Sequence, residues 1–177
     1  MTRRRPLTFF DVGLADVQSR HPRFVDAVVG DAKVTARLRG DGKAFVGGLD
    51  TLLRVLRLMW VTDAFFAQVC YRARARLQAL GVPIFPNLLH RLAIMTADLY
   101  IGETVLVHPG LFIGHGMVVI DGFVEIHPDV WIMPGVTIGL RGEAFGPTIE
   151  SQVQIGTGAK VLGRLTVGRG ARIGANA

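Results

Sequence analysis

Aliphatic residues recur at every sixth position through the second half of this chain. They fall at Ile101, Val107 and Ile113, then at Ile120, Ile126, Ile132 and Ile138, then at Ile149, Ile155, Val161, Val167 and Ile173. Small residues often follow at once, as in Ile155-Gly156, Val167-Gly168 and Ile173-Gly174. An ordinary sheet with period-two alternation does not explain why the phase survives for six consecutive ladder positions in some stretches. A six-residue period describes a parallel β-helix, in which every sixth side chain points inward and stacks on its equivalent one coil above. With three such hexads per coil, residues 98–177 make four to five coils, a column about 20 Å tall at about 4.8 Å per coil.

Two phase breaks interrupt the ladder. Between Ile113 and Ile120 the step is seven, which adds one residue at a corner containing His115. Between Ile138 and Ile149 it is eleven, an excursion around Arg141, Glu143 and Phe145. Insertions in repeat proteins collect on a binding face, so both are read as markers of the chemistry.

Before Asp98 the pattern is helical. The spacing predicts helices over 14–19 and 23–37. Another is predicted after Asp50, read as its cap, with an apolar face of Leu52, Leu53, Leu56, Met59 and Trp60. A helical pattern resumes through Phe65, Phe66, Val69 and Leu77 to a stop at Gly81, and Pro86-Asn87 opens a shorter segment over 88–97. Residues 40–48, with four glycines, read as a loop. The expected fold class is therefore α+β: an N-terminal α-helical domain over 1–97, followed by a β-helix of hexapeptide repeats over 98–177.

Charge divides the same way. Residues 1–97 carry fifteen of the twenty Lys and Arg and seven of the fourteen acids, a balance of +8, and the remainder is −2. The arginines are scattered through helical patterns without a nucleic-acid-binding signature, so no nucleic-acid partner is expected. Arg54, Arg57 and Asp63 interrupt the most apolar stretch, so no membrane span is expected. Arg3, Arg4 and Arg5 are not followed by the apolar run of a secretory signal. Cys70 is the single cysteine, read as core; it forms no intrachain disulfide, which suits a cytoplasmic protein.

Specific motifs go further. The run Gly110-Leu111-Phe112-Ile113-Gly114-His115-Gly116, then Pro134-Gly135-Val136-Thr137-Ile138-Gly139, resembles the serine O-acetyltransferase family of hexapeptide acyltransferases. Pro147-Thr148-Ile149 and the segment from Ile155 to Gly163 continue the likeness to Ile173-Gly174-Ala175-Asn176. The resemblance implies a left-handed β-helix and a homotrimer or dimer of trimers, with acetyl-CoA lying along the coils between subunits. It implies acetyl transfer to a small-molecule hydroxyl, L-serine first, with His115 as general base. A neutral imidazole has a suitable pKa to take the hydroxyl proton during attack on the thioester.

By the same resemblance Gly139, Thr157, Gly158, Ala159, Lys160, Ala175 and Arg172 are the expected coenzyme contacts. Departures fall on the acceptor side. The family's acid fifteen residues before the histidine is Tyr100 here, and Asp98 is taken as its substitute on the same strand face. Gly114 stands where an acid often precedes the histidine, and Gly146 stands where a second histidine helps bind serine's carboxylate. Tyr100, Arg141 and Met117 are the expected acceptor contacts, with Arg141 replacing the family's loop arginine. A sugar or natural-product hydroxyl is the alternative acceptor. A catalytically degenerate binding scaffold is the alternative of another class.

His108, His115 and His127 supply enough imidazoles for the zinc of trimeric carbonic anhydrases, but that family's pair of histidines five residues apart is missing, so no metal is expected. His108 and His127 are read as structural, and Trp131 as packing on the helices or a neighbouring subunit. The sequence ends at Ala177 inside a hexad, without the tail by which family members dock on cysteine synthase, so that docking is not expected.

Overall fold

In the computed structural model, which describes residues 9–142 and 144–177, the six-residue ladder closes into three parallel sheets. Arg3 to Arg5 and Glu143 lie outside the described residues. Helices α1 (Phe9–Arg20), α2 (Phe24–Leu38), α3 (Gly47–Val61), α4 (Asp63–Ala79) and α5 (Phe85–Ala97) come first. The strands follow as β1 (Leu99–Ile101), β2 (Leu106–Val107), β3 (Phe112–Ile113), β4 (Val118–Ile120), β5 (Phe123–Ile126) and β6 (Trp131–Ile132). The remainder are β7 (Thr137–Gly139), β8 (Phe145–Ile149), β9 (Gln154–Ile155), β10 (Lys160–Leu162), β11 (Thr166–Val167) and β12 (Arg172–Ile173).

Every third strand pairs, all in parallel. Sheet I is β1-β4-β7-β10, sheet II is β2-β5-β8-β11 and sheet III is β3-β6-β9-β12. Register puts Ile101 beside Ile120, Ile120 beside Ile138 and Ile138 beside Val161. The equivalent columns are Val107-Ile126-Ile149-Val167 and Ile113-Ile132-Ile155-Ile173. Ile120, Ile126, Ile132, Ile138 and Ile149 are fully buried. The predicted ladder is thus three columns, one per sheet, over four coils.

The first coil has no coil above it, and α4 covers it. Gln68 donates to the Leu111 carbonyl at 3.0 Å, the Tyr71 hydroxyl to Val105 at 2.8 Å and Arg74 to Ile101 at 2.7 Å. Burial pushes the Tyr71 hydroxyl up to about 12. Arg72 donates to the carbonyls of Val107 and His108 and makes a two-pronged pair with Asp31 of α2, at 2.9 and 3.1 Å. Asp31 in turn accepts the Gly110 and Leu111 N–H groups, each at 2.9 Å. These carbonyls and amides would otherwise be buried unpaired, at a cost of about 1–3 kcal/mol each. Ala64, Ala67, Cys70 and Tyr71 share a continuous apolar core with the first coils, and Cys70 is buried there.

The helical half departs from expectation in two places. Val46, not Asp50, precedes α3; Asp50 sits in the first turn and accepts the Val46 N–H at 3.0 Å. That bond and one from Arg54 hold its carboxyl below the usual range. The predicted apolar face of α3 also points mostly outward: Val55 and Leu58 are buried, whereas Leu52, Leu53, Leu56 and Trp60 are exposed. The helix is apolar over more than one face, and periodicity cannot choose which face meets α2 and α4. Trp131 is half-buried on sheet III, in register with Phe112 and Gln154.

Candidate functional site

The corner joining sheet III to sheet I is built from residues 114–117, 133–136, 156–159 and 174–177 on successive coils. In the lower three, the third corner residue adopts a left-handed conformation: Gly135 at φ 75°, Gly158 at φ 75° and Asn176 at φ 57°. Glycine carries no penalty there. A Cβ on Gly158 would also meet the Asn176 side-chain oxygen at 2.1 Å. The Gly158 N–H donates to Pro134 at 2.9 Å and that of Asn176 to Thr157 at 2.8 Å, so the corner is a continuous, narrow column. In the uppermost coil the extra residue moves the left-handed position to Met117, at φ 62°, leaving His115 projecting at the head of the column.

Two further bonds fasten this head to the helices. The Met117 N–H donates to the Ala97 carbonyl at 3.0 Å and the Val118 N–H to that of Asp98 at 3.2 Å. Between them opens a cleft of about 480 Å³, lined on the prism side by Gly114, His115, Gly116 and Met117. The helices contribute Arg39, the Val61-Thr62-Asp63 junction, Ile94, Met95 and Asp98. His115, Asp98, Met117 and Asp63 are exposed to solvent in it.

The expected site residues separate into two groups. His115, Asp98 and Met117 share the cleft, and Thr157, Gly158, Ala159 and Ala175 lie lower on the same corner. Lys160 and Arg172 flank that corner on sheets I and III, and the Lys160 ammonium donates to Gly135 O at 2.7 Å and Thr137 Oγ1 at 3.0 Å. Gly139 and Arg141 are elsewhere, at the corner joining sheets I and II, where Gly139 packs under Asp121 and Arg141 lies against Gly163. The two ladder insertions therefore occupy different corners on either side of sheet I. Tyr100 faces His90, ring to ring at 5.0 Å, and does not line the cleft.

Asp98 is not on the strand face expected for it. It is the left-handed residue that ends α5, at φ 48°, with its N–H donated to Ile94. Among the described residues no hydrogen bond joins Asp98 to His115. Arg39, Asp63 and Met95 are cleft residues that no repeat or motif signalled, because they arrive through the packing of three helices. Neither Arg39 nor Asp63 makes a salt bridge among the described residues.

The chain has relatives among known proteins. No protein-family model matches the chain. The serine acetyltransferase of Helicobacter pylori strain J99 is 42% identical over 115 residues, covering 63% of this chain and 67% of that one. The chain belongs to the serine acetyltransferase family. The serine acetyltransferase of Synechococcus elongatus is 36% identical over 124 residues, 68% of this chain but 51% of the other, so the chain spans about half of that relative. Serine acetyltransferase 1 of Entamoeba histolytica, solved with L-cysteine, superposes with a TM-score of 0.67 at 26% identity, covering 95% of this chain and 63% of its own. The prism is accordingly the left-handed β-helix of serine acetyltransferases.

Proposed function

We propose that this serine acetyltransferase family member transfers an acetyl group from acetyl-CoA to a small-molecule hydroxyl, with L-serine the preferred acceptor. The observation that carries the reading is the corner column: His115 heads a line of close-packed turns, Gly135, Gly158 and Asn176, along which an extended coenzyme arm fits. Lys160 and Arg172 flank that line and supply positive charge for its phosphates. No metal takes part in this chemistry.

In the reaction, His115 removes the acceptor hydroxyl proton as the oxygen attacks the thioester carbonyl. The tetrahedral intermediate collapses, the carbon–sulfur bond breaks, and the imidazolium returns its proton to the departing thiolate. Such general-base assistance is worth about 10²–10⁴ in rate. Asp98, which lines the same cleft, contributes negative charge to it. Arg39 and Asp63, which make no salt bridge among the described residues, give the cleft a guanidinium and a carboxylate beside that of Asp98, a pair matched to the carboxylate and ammonium of an amino acid.

A homotrimer, or a dimer of trimers, accounts for two further features. Gly139 and Arg141 lie at a different corner from His115, so a neighbouring copy is the natural way to bring them to the coenzyme. The exposed Leu52, Leu53, Leu56 and Trp60 of α3 supply an apolar contact between copies. Among the described residues no helix is long and apolar enough to cross a membrane, and the single buried Cys70 supports a cytoplasmic setting.

A second reading, with a sugar hydroxyl as acceptor, is supported by Gly146. A Cβ there would meet Val124 Cγ2 at 2.4 Å, so the carboxylate-reading histidine of the family has no room. Thiol release from acetyl-CoA, measured against serine, sugars and amino alcohols, separates the two. Serine-dependent release abolished by His115→Ala, with coenzyme binding retained, supports the proposal. Sugar-only release replaces serine, and absence of any acceptor-dependent release leaves a scaffold.

A further inference from the structure

A different corner of the prism carries a cluster that this chemistry does not use. His108 and His127 occupy equivalent positions on successive coils, each directly after a ladder residue, Val107 and Ile126, where sheet II turns into sheet III. Their rings stack at 5.0 Å between centroids and 16° between planes. Glu125, one residue before Ile126 on β5, faces the same side. Its Oε1 is 2.9 Å from His108 Nε2 and 3.9 Å from His127 Nε2, and the three atoms all lie within 4.8 Å of one another.

The separations matter. Tetrahedral zinc with bonds of about 2.1 Å holds its ligand atoms about 3.4 Å apart, between the two distances from Glu125. The three side chains are roughly a quarter to a third exposed, at 24–30%, so an ion has an entry path. Each hangs from a strand or tight turn rather than a long loop. Two imidazoles with one carboxylate, leaving a fourth position for water, is an established donor set for zinc-class ions.

The site already contains a cation of its own. Arg20, from the last turn of α1, reaches Glu125 Oε1 at 2.6 Å. Burial pushes the Glu125 carboxyl up, but the bonds from His108 and Arg20 outweigh it and hold it below its usual range. Arg20 is 45% exposed and has a second acid, Asp16, at 3.6 Å, so it has somewhere to go when displaced.

We propose that His108, Glu125 and His127 form a binding site for a divalent transition metal of the zinc class, with Arg20 as its internal competitor. The ion would tie the first two coils together at a corner away from the His115 cleft. It is not part of acetyl transfer, and its failure would leave the proposed function untouched.

The test uses the full chain without a histidine tag. Zinc binding is followed by calorimetry, and cobalt is used as a spectroscopic probe of tetrahedral nitrogen and oxygen ligation. One equivalent of zinc is expected per chain. His108→Gln and His127→Gln should each weaken binding by at least about tenfold, with unchanged circular dichroism as the check on folding. Arg20→Gln should tighten it several-fold, because the competitor is gone, whereas a merely structural network predicts no gain. Absence of stoichiometric binding overturns the proposal, as does binding insensitive to both histidines or lost in His115→Ala instead.

Discussion

Gly116 lies against the Ala97 carbonyl so closely that a Cβ on it would stand 1.6 Å from that oxygen. This contact seats the His115 corner on the end of α5, and it leaves no space for any other residue. Gly116→Ala should therefore displace the corner, costing about 2 kcal/mol of stability and a larger share of activity. Thermal melting and acceptor-dependent thiol release, measured together, check it; an unchanged turnover would mean the corner is not held by α5.

The buried Asp31–Arg72 pair should behave as a joint between helices and prism. Each side chain is at most 4% exposed, and both bind the backbone of 107–111. Removing one partner strands the other, so Arg72→Ala or Asp31→Ala should lower stability by about 3–5 kcal/mol. Urea denaturation of each single mutant and of the pair replaced by apolar residues gives the coupling, with the double replacement expected to cost less than the two singles together.

Stability should decline in mild acid. Burial, then the charges of Arg72 and His108, push His21 down from 6.5 to about 4, and burial with Arg74 also lowers His90. Their unfolded forms bind protons first, so stability is complete above about pH 6.5 and falls as pH drops towards about 4. A urea midpoint followed from pH 7.5 to 4 reads this directly, and His21→Gln should flatten the curve.

The ladder should weaken from its middle outward. Ile132 is fully buried between coils, whereas Ile173 on the last coil is half-buried. Ile132→Ala is expected to cost about 3–4 kcal/mol and Ile173→Ala about a third of that. Comparable losses at the two positions would show that something else covers the last coil.

Lys160 should affect coenzyme binding alone. Lys160→Ala is expected to raise the KM for acetyl-CoA about tenfold, equivalent to about 1.4 kcal/mol, without lowering kcat. Initial-rate kinetics at saturating acceptor distinguish this from a fall in kcat, which would assign the ammonium to the chemistry.

How much of this was legible beforehand depends on the range of the interaction. Ile101 to Ile173 announce themselves because each coil repeats the same local environment, so one row of buried side chains writes a period of six into the chain. The irregular corner at His115 is legible for the same reason, because it falls on a break in that period. Asp98 reads as strand because nothing local distinguishes it from one; only its left-handed conformation, set by the end of α5, makes it a cap.

From sequence alone, then, the prism, its three columns and the irregular corner bearing His115 were determined, since all follow from nearest-neighbour stacking at a constant spacing. Tertiary structure alone decided that Arg39 and Asp63 line the same cleft as that histidine, that Gly139 and Arg141 do not, and that Glu125 lies between His108 and His127. Those relations depend on where five helices dock and which corner each turn occupies, and packing of that kind leaves no period in the chain to read.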